Sequence, residues 1–167
     1  MGIIAGDVLA FPNNAVDIIA ARFATLDPDV PEDHILKRPL RNTDPNISIG
    51  VFGTLWVPDE DSMEIKGTGF HDPTLDTYTL GVQGFVKDMD EERGLASHSV
   101  LSEMIRTMLY RDHPLHVGLA ALSTSIGGVT KRYRRSGIRT QRYLSNELEG
   151  SWLYLSTLEF WLETESS

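Results

Sequence analysis

Three runs of apolar and polar alternation constrain the fold of this chain more than any other feature. In the first, Ile47, Ile49, Val51, Leu55 and Val57 point one way and Ser48, Gly50, Phe52, Thr54 and Trp56 the other. In the second, between Thr74 and Lys87, Tyr78, Leu80, Val82 and Val86 alternate with Thr77, Thr79, Gly81, Gln83 and Phe85. The third, SWLYLSTLEFWLETE, sets Trp152, Tyr154, Leu158, Phe160 and Leu162 against Leu153, Leu155, Thr157 and Trp161. A period of two is the signature of a β-strand, whose side chains leave alternate faces. Both faces of the third run are rich in apolar residues, so it is expected to be covered on two sides, by a helix and by something else.

Between the second and third runs the period changes. Leu101, Met104, Ile105, Met108 and Leu109 share one face of a helix expected from about 91 to 112, with Pro114 ending it. Asp88 and Glu91 have the spacing of a capping box at its start. Leu119 to Ile126 reads as a strand, Gly127-Gly128 as a tight turn, and Val129 to about Asn146 as a strand or hairpin broken at Ser136-Gly137. Upstream, Asn13 and Asn14 follow Pro12 as the cap of a short helix with Val16, Ile19, Ala20 and Phe23 on one face. Four prolines from Pro28 to Pro45 make the next segment an extended connection.

The architecture expected is α+β: a four- to five-stranded, mostly antiparallel sheet packed by two helices, with an extended basic strand or hairpin arm. The 167 residues suit a single domain. Its core is expected to include Val51, Tyr78, Val82, Leu101, Ile105, Leu155 and Phe160.

Signals for catalysis are sparse. The chain has no cysteine, hence no disulfide, thiolate nucleophile or Cys-bearing zinc site. It has no phosphate-cradling GxxxxGK[ST], no GxSxG and no HExxH. The histidines at 34, 71, 98, 113 and 116 are scattered, and His98 and Ser99 are helix neighbours that point apart. Asp59, Glu60, Asp61 and Glu64 lack EF-hand spacing and read as a solvated loop; Asp88, Asp90, Glu91 and Glu92 read as helix N-terminal charge. No cofactor, metal or enzymatic activity is expected. No apolar run approaches the roughly 20 residues of a membrane span, and no basic residue precedes the apolar N-terminus, so neither a span nor a secretory signal is expected.

Charge is distributed unevenly. Within KRYRRSGIRTQR stand Lys131, Arg132, Arg134, Arg135, Arg139 and Arg142, six of the fifteen Lys and Arg residues of a chain whose net charge is −9. The remainder holds nine basic side chains against twenty-four acidic ones, a balance of −15. As a continuous strand the segment carries Lys131, Arg135 and Arg139 on one face and Arg132, Arg134 and Arg142 on the other. Charge on both faces suits an edge, arm or hairpin leaving the body of the domain. Three uses compete: a solvated edge that resists aggregation, a phosphate contact with DNA, and an arm laid against the acidic surface of a neighbouring copy. The third is favoured, with at least one of Arg132, Arg134, Arg135 and Arg139 expected to contact Asp or Glu of the adjacent copy or of another assembly partner.

The segments RNTDPNISIGVFGTLWVPDEDSMEI, PTLDTYTLGVQGFVKDMDEERGLASHSVLSEMIRTMLYRD and RYRRSGIRTQRYLSNELEGSWLYLSTLEFWLETES together resemble the tail terminator proteins of long-tailed actinobacterial phages, similar in turn to the lambda-type family. The likeness spans about residues 36 to 165 and leaves 1–35 unmatched. It implies a small α+β protein in a six-membered ring that caps the finished tail tube, stops its polymerisation and joins the neck of the head. It also implies partners: copies of itself, the major tail tube protein and the head-to-tail connector or stopper, with DNA passing through the ring. The place implied is the tail–neck junction of the virion, after assembly in the host cytoplasm. The loop bearing Asp59, Glu60, Asp61 and Glu64 is then a candidate contact with tube or neck, and the basic segment a candidate subunit interface. Alternatives are a head-to-tail connector ring and a small DNA-binding protein that uses residues 131–142.

Overall fold

The computed structural model describes residues 5–25, 30–53, 57–58, 74–126 and 129–166. Helix α1 (Ala5–Phe23) is followed by a single 3₁₀ turn (Glu32–His34), strands β1 (Ile35–Leu36), β2 (Ile47–Gly53), β3 (Val57–Pro58) and β4 (Thr74–Asp88), then helices α2 (Glu91–Arg111) and α3 (His113–Ala120). Strands β5 (Ser123–Ile126), β6 (Val129–Leu148) and β7 (Ser151–Ser166) complete the chain.

The strands form one sheet in the order β1-β2-β4-β7-β6-β5, with β3 also against β4. Every pairing is antiparallel except β1 with β2. The fold is therefore α+β with a mostly antiparallel sheet, as expected. It is larger than expected, with seven strands and three α-helices among the described residues.

The alternating runs explain the two-layer packing. Val82 pairs with Leu158, Leu80 with Phe160 and Tyr78 with Leu162, so these buried side chains lie on one face, joined there by Val51 of β2. Against that face α2 sets Leu101, Ile105, Met108 and Leu109, α3 sets Leu115 and Leu119, and α1 sets Phe11, Ala15, Ile19 and Phe23, all in one cluster. Close approach of α2 requires Gly84: a Cβ there would lie 2.9 Å from Ile105 Cδ1 and 3.3 Å from Leu101 Cδ2. The tight turn from β6 to β7 places Glu149 at φ 51° and Gly150 at φ 80°, the two positive values of a type I′ hairpin.

Five local expectations are corrected. First, α1 begins well before Pro12 and carries it in its interior, with Phe11 stacked on Tyr78 at 5.5 Å; a proline here forfeits one backbone bond that tertiary packing offsets. Second, the cap of α2 is Asp90, which accepts from Arg93 N, while Asp88 accepts from the Arg93 side chain and Asp90 N. Third, Pro114 opens α3 instead of merely ending α2, because the first helical turn has no need of its N–H; the strand expected from Leu119 starts at Ser123. Fourth, no break occurs at Ser136-Gly137: β6 runs unbroken from Val129 to Leu148. Fifth, β7 is fully covered on one face only. Tyr154, Ser156, Leu158, Phe160 and Leu162 are buried, whereas Leu153, Leu155 and Trp161 are half-buried, so Leu155 leaves the expected core. The Gly127-Gly128 turn lies outside the described residues.

Candidate assembly surface

The basic segment 131–142 belongs to the sheet, not to an arm. β5 covers the outer side of β6 only from Val129 to Arg132, and β7 occupies the other side along nearly its whole length. From Tyr133 to Leu148 no strand among the described residues pairs with the outer side, so this stretch is the free edge of the sheet. The two halves of the edge differ. Register shifts fall between Tyr133 and Arg135 and between Ile138 and Gln141, whereas Gln141 to Leu148 pairs residue by residue with β7. Bulges and arginines blunt an edge against other strands, so the first half is guarded and the second is open.

The six predicted basic residues divide into two groups. Lys131 Nζ donates to Tyr78 Oη at 2.7 Å and sits 5.1 Å from the centre of that ring. Arg135 makes a fork to Glu163, Nε to Oε1 at 2.9 Å and Nη2 to Oε2 at 3.2 Å, and lies over Trp161. Arg134 approaches the same carboxylate at 3.4 Å. The bulge explains how consecutive residues of one strand reach a single acid: Tyr133 faces Thr164 and Arg135 faces Glu163, leaving Arg134 as the extra residue. Half of the segment is thus engaged within the chain. Arg132, Arg139 and Arg142 are exposed and form no ion pair among the described residues. Asp59, Glu60, Asp61 and Glu64, the predicted contact loop, lie outside the described residues.

Sequence reasoning missed the acid that receives these arginines. Glu163 is 5% exposed although it sits on the less covered face of β7; its signal was only its place in a strand beside a basic one. It missed the apolar part of the open edge as well. Tyr143 is 48% and Leu144 66% exposed, and Leu148 is also exposed. Beside Leu144, a shallow groove of about 170 Å³ is lined by Leu40, Phe85, Leu153 and Leu155 among others. That volume is below the roughly 300 Å³ of a small-molecule site, which favours a surface for packing over a ligand pocket.

One polar cluster lies inside the fold. Buried His98 packs against Tyr143 at 5.2 Å and Tyr154 at 5.9 Å, with Ser102 Oγ 3.4 Å from Nε2 and Ser156 Oγ 3.1 Å from Ser102 Oγ. Burial pushes the His98 pKa down, partly offset by the Gly84 backbone. The cluster joins α2, β7 and the open edge. Among the described residues no three His, Asp or Glu side chains gather as metal ligands, and no helix is long and apolar enough to cross a membrane.

No family model matches the chain, and no curated protein matches it significantly.

Proposed function

We propose that this chain is a structural ring protein of a long-tailed phage, one that caps the tail tube, stops its growth and joins the tail to the neck of the head. The observation that carries the reading is the open edge of β6, which from Gln141 to Leu148 pairs on one side with no strand among the described residues and whose Tyr143 and Leu144 are exposed. Unpaired N–H and C=O groups beside exposed apolar side chains are the surface of a chain that adds neighbours. Arg139 and Arg142 on the same edge, in a protein whose residues outside 131–142 balance at −15, suit a contact in which one patch meets a different patch on the next copy. Such contacts close into rings when the rotation per copy allows; six copies follow from the resemblance. The further partners proposed are the tail tube protein and the neck connector, at the tail–neck junction, with DNA crossing the lumen without sequence-specific contact.

Native mass spectrometry and negative-stain microscopy of the purified chain test this, with a discrete ring as the expected outcome. In a phage deprived of the chain, tubes of uncontrolled length and unjoined heads are expected. Normal tube length with unjoined heads would instead assign it to the connector ring, and a monomer that retards DNA would assign it to nucleic-acid binding.

A further inference from the structure

We propose that the contact between copies joins opposite edges of the same sheet: the β6 edge of one copy, through Arg139 and Arg142, meets the edge formed by the 3₁₀ turn and β1 of the next, through Glu32 and Asp33. This rests on the ring reading above and assigns its two surfaces.

β1 and β6 lie toward opposite ends of the strand order, four strand spacings apart. At about 4.8 Å per spacing that is about 19 Å. Screening in physiological salt acts over about 8 Å, so neither pair of charges neutralises the other within one copy. Both pairs are exposed, and neither forms an ion pair among the described residues. The two basic side chains that directly follow β1 are already engaged: Lys37 Nζ reaches Asp17 at 2.6 Å and Arg38 holds Asp44. Near the basic edge, Glu163 is taken by Arg134 and Arg135, Glu159 stands half-buried in β7 opposite the second bulge, and Glu147 and Glu149 lie toward the hairpin end of β6, beyond Arg142. What remains is an acidic patch at Glu32 and Asp33 and a basic patch at Arg139 and Arg142, toward opposite ends of one sheet. Surfaces that complement each other but not themselves make a head-to-tail contact, which closes into a ring when the rotation per copy allows. Pairing two copies of the same edge would set Arg139 and Arg142 near their own counterparts and is disfavoured by like charge.

The experiment uses two charge-reversed variants of the full chain, R139E/R142E and E32K/D33K. All four side chains are exposed, so thermal melting is expected to match the original chain. Each variant alone is expected to lose rings, one having two acidic edges and the other two basic ones. Mixed in equal amounts, they are expected to regain rings in which the two alternate, read as mixed masses in native mass spectrometry. In parallel, because the chain lacks cysteine, D33C/R142C treated with a short bis-maleimide is expected to give a covalent ladder up to the full ring. Rings from either variant alone, or failure of the mixture to reassemble, would overturn the edge assignment while leaving the ring reading in place. A ladder that stops at the monomer would overturn it equally, including where a reversed variant fails to fold. An original chain that stays monomeric at all concentrations would overturn both.

Discussion

Glu163 shows how one residue organises its surroundings. Its carboxylate is buried yet receives two guanidinium groups that remain largely in water. Replacing it with Gln removes a forked, charge-assisted contact, and because the arginines stay solvated the cost is expected at about 1 kcal/mol in urea unfolding. His98 responds to pH. Burial holds its folded-state pKa below the ordinary imidazole value of 6.5, so below that value the unfolded chain binds a proton that the folded chain resists. Stability is therefore expected to fall as pH drops below about 6.5, and His98→Phe is expected to flatten the curve in that range. Asp88 acts lower. The Arg93 side chain and the Asp90 backbone bring its pKa from 3.8 down to about 2, so its contribution is present above about 4 and lost between about 4 and 2. Denaturant melts of D88N across both windows separate the two groups.

Elements meet at few decisive points. Asp112 ends α2 and caps α3 by accepting from Leu115 N, while taking a fork from Arg22 of α1 at 2.7 and 3.1 Å. Three helices are thereby fixed by one carboxylate, which Arg22 holds below its usual pKa. Asp112→Ala is expected to cost about 1–2 kcal/mol as a lost cap alone, with further loss from the fork. Asp112→Asn keeps a capping oxygen and should recover the smaller part. Gly84 decides how α2 seats on β4. Gly84→Val places methyl groups where Ile105 and Leu101 stand, and overpacking of this kind is expected to cost about 1–3 kcal/mol. Thermal melts of the two series, read together, report whether the helical layer or the helix–sheet contact limits stability.

At the scale of the whole molecule the sheet is covered unequally. Its helical face is sealed by α1, α2 and α3, while the other face leaves Leu153, Leu155 and Trp161 half-buried and ends in an open strand. Leu144 stands where that face meets the edge, 66% exposed. Leu144→Lys removes apolar surface without touching the core. Its unfolding free energy is expected to stay within about 0.5 kcal/mol of the original, while the ring population at equal concentration falls. A melting change with unaltered assembly would place Leu144 in the packing of the monomer instead.

The sequence alone determined the α+β class, the positions of β2, β4, α2 and β7, and most of the core. Each rests on side-chain periodicity, which the backbone imposes locally. It also singled out residues 131–142 by charge. Only the tertiary structure decided where Pro12 and Pro114 lie relative to helix ends, because a missing N–H breaks a helix or opens one according to what packs around it. Only the tertiary structure decided that Arg134 and Arg135 share Glu163 while Arg139 and Arg142 form no ion pair among the described residues. Two one-residue register shifts between β6 and β7 set that division, and strand pairing between segments far apart in sequence leaves no periodic trace. The same pairing put the acidic and basic edges at opposite ends of one sheet, a separation that depends on strand order.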